Sequence, residues 1–277
     1  MMYSGVARTF IVALAAVVLT CCAVTMAATA DDLYRAQTIV TGQGETNRLV
    51  GFAICLEDVL IKVSGALKLA GDSRLAPYKS NAKEFVTAHD YRDQKAGRPK
   101  GDEQGTRDRS FYLTVDFDKD RIDGLLGKLG LKPWLANRPS VSVLIAMDQG
   151  SRKYVITSDA AQSLAPRESL LGAASRRGMR VVLPDEAALA KAGIDGAELA
   201  KLSPANLAAR AAGQGGDVAL VGRLVWNDKA LGWITEWQMA WQGRLRHWRF
   251  RSVTFDEAFR RAIGGAAQIL SGNGDPA

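Results

Sequence analysis

Few residues in this 277-residue chain have a type and spacing that could do chemistry. There are two histidines, His89 and His247, and three cysteines, Cys21, Cys22 and Cys55. A bound metal usually takes two or more His or Cys ligands at tight spacing. The nearest grouping, His89-Asp90 with Asp93, reads as a strand running out into a loop. Ser80-Asn81-Ala82-Lys83 has the form Ser-x-x-Lys, a spacing common on exposed helices, and no Gly-x-Ser-x-Gly elbow occurs. Cys55 falls beside Leu56 and Val59 on the apolar side of a predicted helix. It reads as a packed thiol, since a nucleophile needs an adjacent base. Gly213-Gln214-Gly215-Gly216 precedes a strand, whereas a phosphate cradle follows a strand and opens a helix. No catalytic residue, no metal and no cofactor is therefore expected.

Two further features remain. Trp226, Trp233, Trp237, Trp241 and Trp248 fall in predicted strands. Indoles on a strand can stack on sugar rings, but at period two on an apolar face they read as core. The second feature is a basic cluster, Arg244, Arg246, Arg249 and Arg251, with Arg260 and Arg261 beyond it. Such charges guard a strand edge against aggregation. They also form a candidate patch for an acidic partner, either another envelope protein or an anionic envelope polymer.

Composition bounds the rest. Apolar residues are 47% and charged residues 23%, with a formal net charge of +7. That is an ordinary globular balance, and it excludes wholesale disorder and fibrous repeats. Arg8 is the one charged residue before Asp31, and Phe10–Val24 is strongly apolar. The segment ends Ala28-Thr29-Ala30, a small-x-small exit. A short basic start, an apolar middle and such an exit form the pattern of a secretory signal over residues 1–30. Two alternatives stay open: an uncleaved inner-membrane anchor, and a lipoprotein acylated at Cys22. The body is expected in the periplasm in each case, touching a membrane only if the segment is kept or lipidated. Cleavage removes Cys21 and Cys22, so Cys55 is left without an intrachain disulfide partner. Export also argues against nucleic acid as partner.

The elements that must position these residues follow from periodicity. Leu33–Val40 predicts a strand. Asn47–Val63 predicts a helix with a stripe of Leu49, Phe52, Ala53, Leu56, Val59, Leu60 and Val63, ended by Gly65. The polar, Gly-rich stretch 92–109 reads as a loop between strands at Glu84–Tyr91 and Ser110–Phe117. Asp118 caps a helix running to Leu129. Pro133-Trp134 and Arg138-Pro139 mark a connector, with a boundary between two sub-domains, 31–139 and 140–271, near Pro139.

Beyond it, Ser140–Met147 and Tyr154–Thr157 predict strands, Pro166–Arg177 a helix and Arg180–Leu183 a short strand. Pro184–Ala212 predicts short helices, one starting at Ser203-Pro204. Asp217–Trp226, Trp233–Gln242 and Leu245–Val253 predict three strands. The middle one places Trp233, Thr235, Trp237, Met239 and Trp241 on one face. Thr254 with Glu257 forms a capping box for a last helix whose stripe holds Phe255, Phe259 and Ile263. Residues 272–277 are expected as a frayed, disordered tail. The order gives an α+β fold of two small sub-domains, each a mainly antiparallel sheet packed by helices.

Four stretches together resemble an exported bacterial family, domain-of-unknown-function family 2066. They are Val59–Gly65, Gly130–Trp134 with Asn137-Arg138-Pro139, Arg177-Gly178 with Leu183-Pro184, and Gly216–Leu224 with Trp233, Trp237 and Trp241. The resemblance implies no activity. The leading reading is a non-enzymatic envelope protein that binds another protein or assists an assembly. The alternatives are an envelope hydrolase with an unrecognised site and a saccharide-binding module using the Trp strand.

Overall fold

The computed structural model describes residues 30–94, 109–195 and 215–276. The chain enters through a helical turn, α1 (Ala30–Leu33), before strand β1 (Arg35–Thr41). Leu33 and Tyr34, expected in the strand, are buried beneath it. The carbonyls of Asp32 and Arg35 both accept from Lys62 Nζ, at 3.2 and 2.7 Å, and this shared donor goes with a turned chain.

Helix α2 (Glu45–Ser64) buries Phe52, Leu56, Val59, Leu60 and Val63 of the expected stripe, together with Cys55, while Ala53 is half-buried and Leu49 stays 41% exposed. Gly65 closes the helix at φ 72°, its N–H donating to Ile61 O. A Cβ at Gly65 would come within 2.6 Å of Ser271, so glycine is required by conformation and by close approach alike. A short helix α3 (Ala76–Ser80) leads to β2 (Val86–Asp93), which pairs antiparallel with β3 (Ser110–Phe117). Most of the polar stretch between them, residues 95–108, lies outside the described residues. The three strands form an antiparallel sheet in the order β1-β3-β2. One face, through Ala36, Leu113 and Val115, shares a core with α2 and with α4 (Lys119–Lys128). Asp118 caps α4 by accepting from the Arg121 N–H at 3.0 Å.

The larger sheet has six strands. Its order is β5 (Arg152–Val155), β4 (Val141–Gln149), β7 (Val218–Asn227), β8 (Gly232–Trp241) and β9 (Arg244–Val253). The two-residue β6 (Val181–Val182) pairs with β4. Strands β4, β6 and β7 run parallel to one another where they pair, so this sheet is mixed. The continuous apolar run of β4 has the same cause: Val141–Met147 is buried throughout, as a strand covered on both faces must be.

On one face lie α5 (Leu164–Arg176) and α7 (Phe255–Leu270), over Trp233, Trp237, Met239 and Trp248. On the other, α6 (Glu186–Ala192) sets Leu189 against Leu144, Ala146 and Val221. The predicted helix start at Ser203-Pro204 lies outside the described residues.

Two local expectations need correction. Thr254 caps α7 through the Glu257 N–H at 3.2 Å, but the Glu257 carboxylate is held by Arg260 and Arg261, each at 2.6 Å. The capping box is thus realised by its Thr arm. The C-terminal segment is not frayed over residues 272–276. Asn273 N–H donates to Gln268 O, Asn273 Nδ2 to Ser64 O, and Gln268 Nε2 to Asp275 O, all within 2.9 Å. Polar side chains that look solvent-bound in sequence are here the means of docking.

Candidate functional site

The residues singled out for chemistry do not converge. Cys55 is fully buried, and burial pushes its thiol up to about 12, leaving a neutral packing group. His89 is exposed on β2, its ring edge-on to Phe52 at 5.3 Å and Tyr91 at 5.8 Å. His247 is exposed on β9, in the other sheet. Among the described residues no three His, Cys, Asp or Glu side chains are grouped to hold a metal ion. Ser80 Oγ donates to Ala76 O within its own helix, at 3.1 Å. Gly216 packs so tightly that a Cβ would come within 2.5 Å of the Ser142 N, and β7 begins two residues later.

The tryptophan face is interior. Trp237 is fully buried, Trp233 and Trp248 nearly so. Trp237 Nε1 donates to Thr235 Oγ1 at 3.0 Å and its ring meets Phe259 edge-on at 6.3 Å. Trp226 and Trp241 are partly buried against the same core. A saccharide platform needs open ring faces, and the rings of Trp233, Trp237 and Trp248 are buried.

The arginines of β9 are split by the pleat of the strand. Arg244 and Arg246 stand opposite Trp241 and Met239, on the helix-covered face. Arg246 is ion-paired with Asp275 of the docked C-terminal segment. Arg249 stands opposite Glu236 on the other face, next to the exposed His247 and Leu245. Arg251 is exposed near the end of the strand. Arg260 and Arg261 lie on α7, engaged by Glu257, with Arg261 over the Phe250 ring at 5.2 Å. Six arginines that look like one basic cluster in sequence are therefore distributed over two faces and a helix, because successive strand residues point opposite ways.

On the face opposite the Trp core, charges alternate from strand to strand. Lys153 of β5 pairs with Asp148 of β4 at 3.3 Å, and Asp148 lies 3.9 Å from Arg223 of β7. Arg223 is directly opposite Glu236 of β8, and Glu236 is directly opposite Arg249 of β9. The signs run plus, minus, plus, minus, plus. They end on β9, whose outer edge pairs with no strand among the described residues.

A second polar cluster was not legible as such in sequence. Asp58 of α2 bonds Arg176 at 2.6 Å and Arg177 at 3.0 Å, across the seam between the two sheets' layers. Arg138 donates to the carbonyls of Lys62, Trp134, Arg177 and Gly178, at 2.5 to 3.3 Å, with its guanidinium 4.2 Å above the Trp134 ring. The carbonyl ends of α2 and α5 carry partial negative charge, so they hold a cation without a carboxylate. Burial draws Arg138 down to about 10 and Lys62 to about 8. The available signal was Asp58 and Lys62 at i, i+4 inside the apolar stretch of α2.

Ser169, Arg176, Thr254, Asp256 and Arg260 line an open groove between α5 and α7. Its polar groups are engaged with neighbours: Ser169 donates to Asp256, Arg176 holds Asp58, and Arg260 holds Glu257.

Residues 27–135 match one family model, described as Domain of unknown function (DUF8605). The match covers less than half the chain and stops in the connector between the two sheets. It overturns the resemblance drawn above to family 2066, which is a different family. The helix end, the Pro-Trp connector and the Gly-rich strand that carried that resemblance are packing devices here, and such devices recur across families. No curated protein matches the chain. Among the described residues no helix is long and apolar enough to cross a membrane.

Proposed function

We propose that this protein is exported to the cell envelope and acts there by binding another protein, through the β8–β9 end of the larger sheet. Export rests on the basic, apolar and small-x-small pattern of residues 1–30. Cleavage after Ala30 would leave the first anchors of the fold in place, with Lys62 on the Asp32 carbonyl and Tyr34 Oη donating to Asp123 at 2.8 Å.

The observation that carries the binding reading is the contrast between the two faces of β9. One face is closed over Trp248 by α7 and the C-terminal segment. The other presents Leu245 at 51% exposure, His247 and Arg249 beside an edge that pairs with no strand among the described residues. The burial of Trp233, Trp237 and Trp248 favours protein binding over stacking on a saccharide. Among the described residues the polar clusters are engaged in holding helices together, which favours the binding reading over the hydrolase one.

The test is a photoreactive residue placed at position 249 of the full-length protein in intact cells, with position 120 on α4 as the control. The reading expects a mature chain beginning at Asp31 in the periplasmic fraction and one discrete crosslinked protein from position 249. Retention of the protein in the cytoplasm, or the same products from both positions, overturns it.

A further inference from the structure

Resting on that reading of the β9 face, we propose that the partner is taken up as an added strand. An extended acidic segment of another protein would hydrogen-bond along the outer edge of β9 and set a carboxylate opposite Arg249. Three observations converge on this. First, β9 runs for ten residues, Arg244–Val253, and its outer edge is unpaired among the described residues. An edge strand of that length presents a row of backbone N–H and C=O groups, a ready template for a further chain.

Second, the charge row across the sheet sets the sign of the next position. Lys153 and Asp148, Arg223 and Glu236, and Glu236 and Arg249 stand directly opposite one another with opposite signs, and Asp148 reaches Arg223 diagonally at 3.9 Å. Residues directly opposite on paired strands sit about 5 Å apart, where opposite charges favour pairing and like charges oppose it. The continuation beyond Arg249 is a carboxylate.

Third, the edge refuses a copy of itself. β9 carries four arginines and no carboxylate of its own, so two β9 strands side by side would bring like charges together across the new edge, where neither strand supplies a carboxylate. The charges that block self-pairing are those that accept an acidic strand.

The test uses the full mature protein and a ten-residue peptide of alternating threonine and glutamate. Two further versions are N-methylated, one at the odd residues and one at the even. Only alternate residues of an added strand face its neighbour, so strand addition predicts an asymmetry. One methylated peptide binds about as well as the parent peptide, and the other at least about tenfold more weakly. Arg249→Glu is expected to lose the Thr-Glu peptide and to accept the same peptide with lysine for glutamate. If both methylated peptides bind like the parent, acidic chains are held by charge alone; strand addition then falls and the protein-binding reading stands. If no peptide binds while position 249 still crosslinks one protein in cells, strand addition again falls alone. Failure of both the peptide and the crosslink removes the two together.

Discussion

Trp237 of β8 lies directly opposite Gly222 of β7, and its indole covers the bare backbone there. A Cβ on Gly222 would overlap the six-membered ring. The largest side chain in the core thus depends on the smallest residue of the neighbouring strand. Gly222→Ala is expected to displace the indole from Phe259 and from Thr235, costing about 1–3 kcal/mol as overpacking does. Trp237→Ala is expected to cost more, about 3–5 kcal/mol. Thermal or urea unfolding of the two variants checks both; melting of Trp237→Ala like the parent would contradict the packing described.

Arg138 holds the seam. Its guanidinium satisfies carbonyls at the ends of α2 and α5, so its loss leaves several buried acceptors without donors. Each such group costs about 1–3 kcal/mol. Arg138→Met is expected to lose at least about 3 kcal/mol. Arg138→Lys should recover only part, because one ammonium cannot span both helix ends. Full recovery by lysine would show that charge alone is needed there.

Alkaline titration gives a signed prediction. Lys62 falls to about 8 in the fold, from an ordinary value of 10.5, chiefly through burial. Below pH 8 it is charged in both states, and the charge burdens the fold. Above pH 8 the folded state sheds the proton while the unfolded chain keeps it, so stability rises with pH. Cys55 acts the other way from about pH 8 upward and most strongly above pH 9, since the unfolded thiol, at 9.0, ionises and the folded one, at about 12, does not. Between pH 8 and 9 the gain from Lys62 outweighs the early loss at Cys55, and stability should climb by about 0.5 kcal/mol. Lys62→Met should abolish that climb. A parent protein losing stability from pH 8 to 9 would contradict the assignment.

The C-terminal segment is expected to be structural. Gln268 Oε1 accepts from the Lys68 N–H at 2.9 Å while Gln268 Nε2 reaches the Asp275 carbonyl, and Asn273 bonds the end of α2. Removing residues 272–277 should destabilise the protein by about 1–3 kcal/mol, the loss of a few net hydrogen bonds. Asn273→Ala should reproduce part of it. An unchanged melt for the truncated chain would restore the frayed tail expected from sequence.

What the sequence made legible was periodic. The alternation from Trp233 to Trp241 marked both the strand and its buried face, because one covered face forces period two. The stripe of α2 and the caps at Asp118 and Thr254 are local in the same sense. The non-local features were out of reach. Nothing near Val141 says that β4 runs parallel to β7, about seventy residues away. Arg138 looked like part of a connector because its partners are backbone carbonyls, which every residue has. The arginines of β9 looked like one patch because a string hides the pleat. Their meaning depends on Glu236, Arg223 and Asp148, which only strand register brings into line.

The central claim is that the outward arginines of β9 serve binding rather than stability. It is tested most directly by Arg249→Glu with Arg251→Glu in one chain, measured for melting and for crosslinking from a photoreactive residue at position 245. Both side chains are exposed, and the new carboxylate at 249 faces Glu236, so unfolding should stay within about 1 kcal/mol of the parent. The discrete crosslinked product should disappear. A variant that melts normally and still yields the product would contradict the claim, as would one that loses stability on the scale of Trp237→Ala.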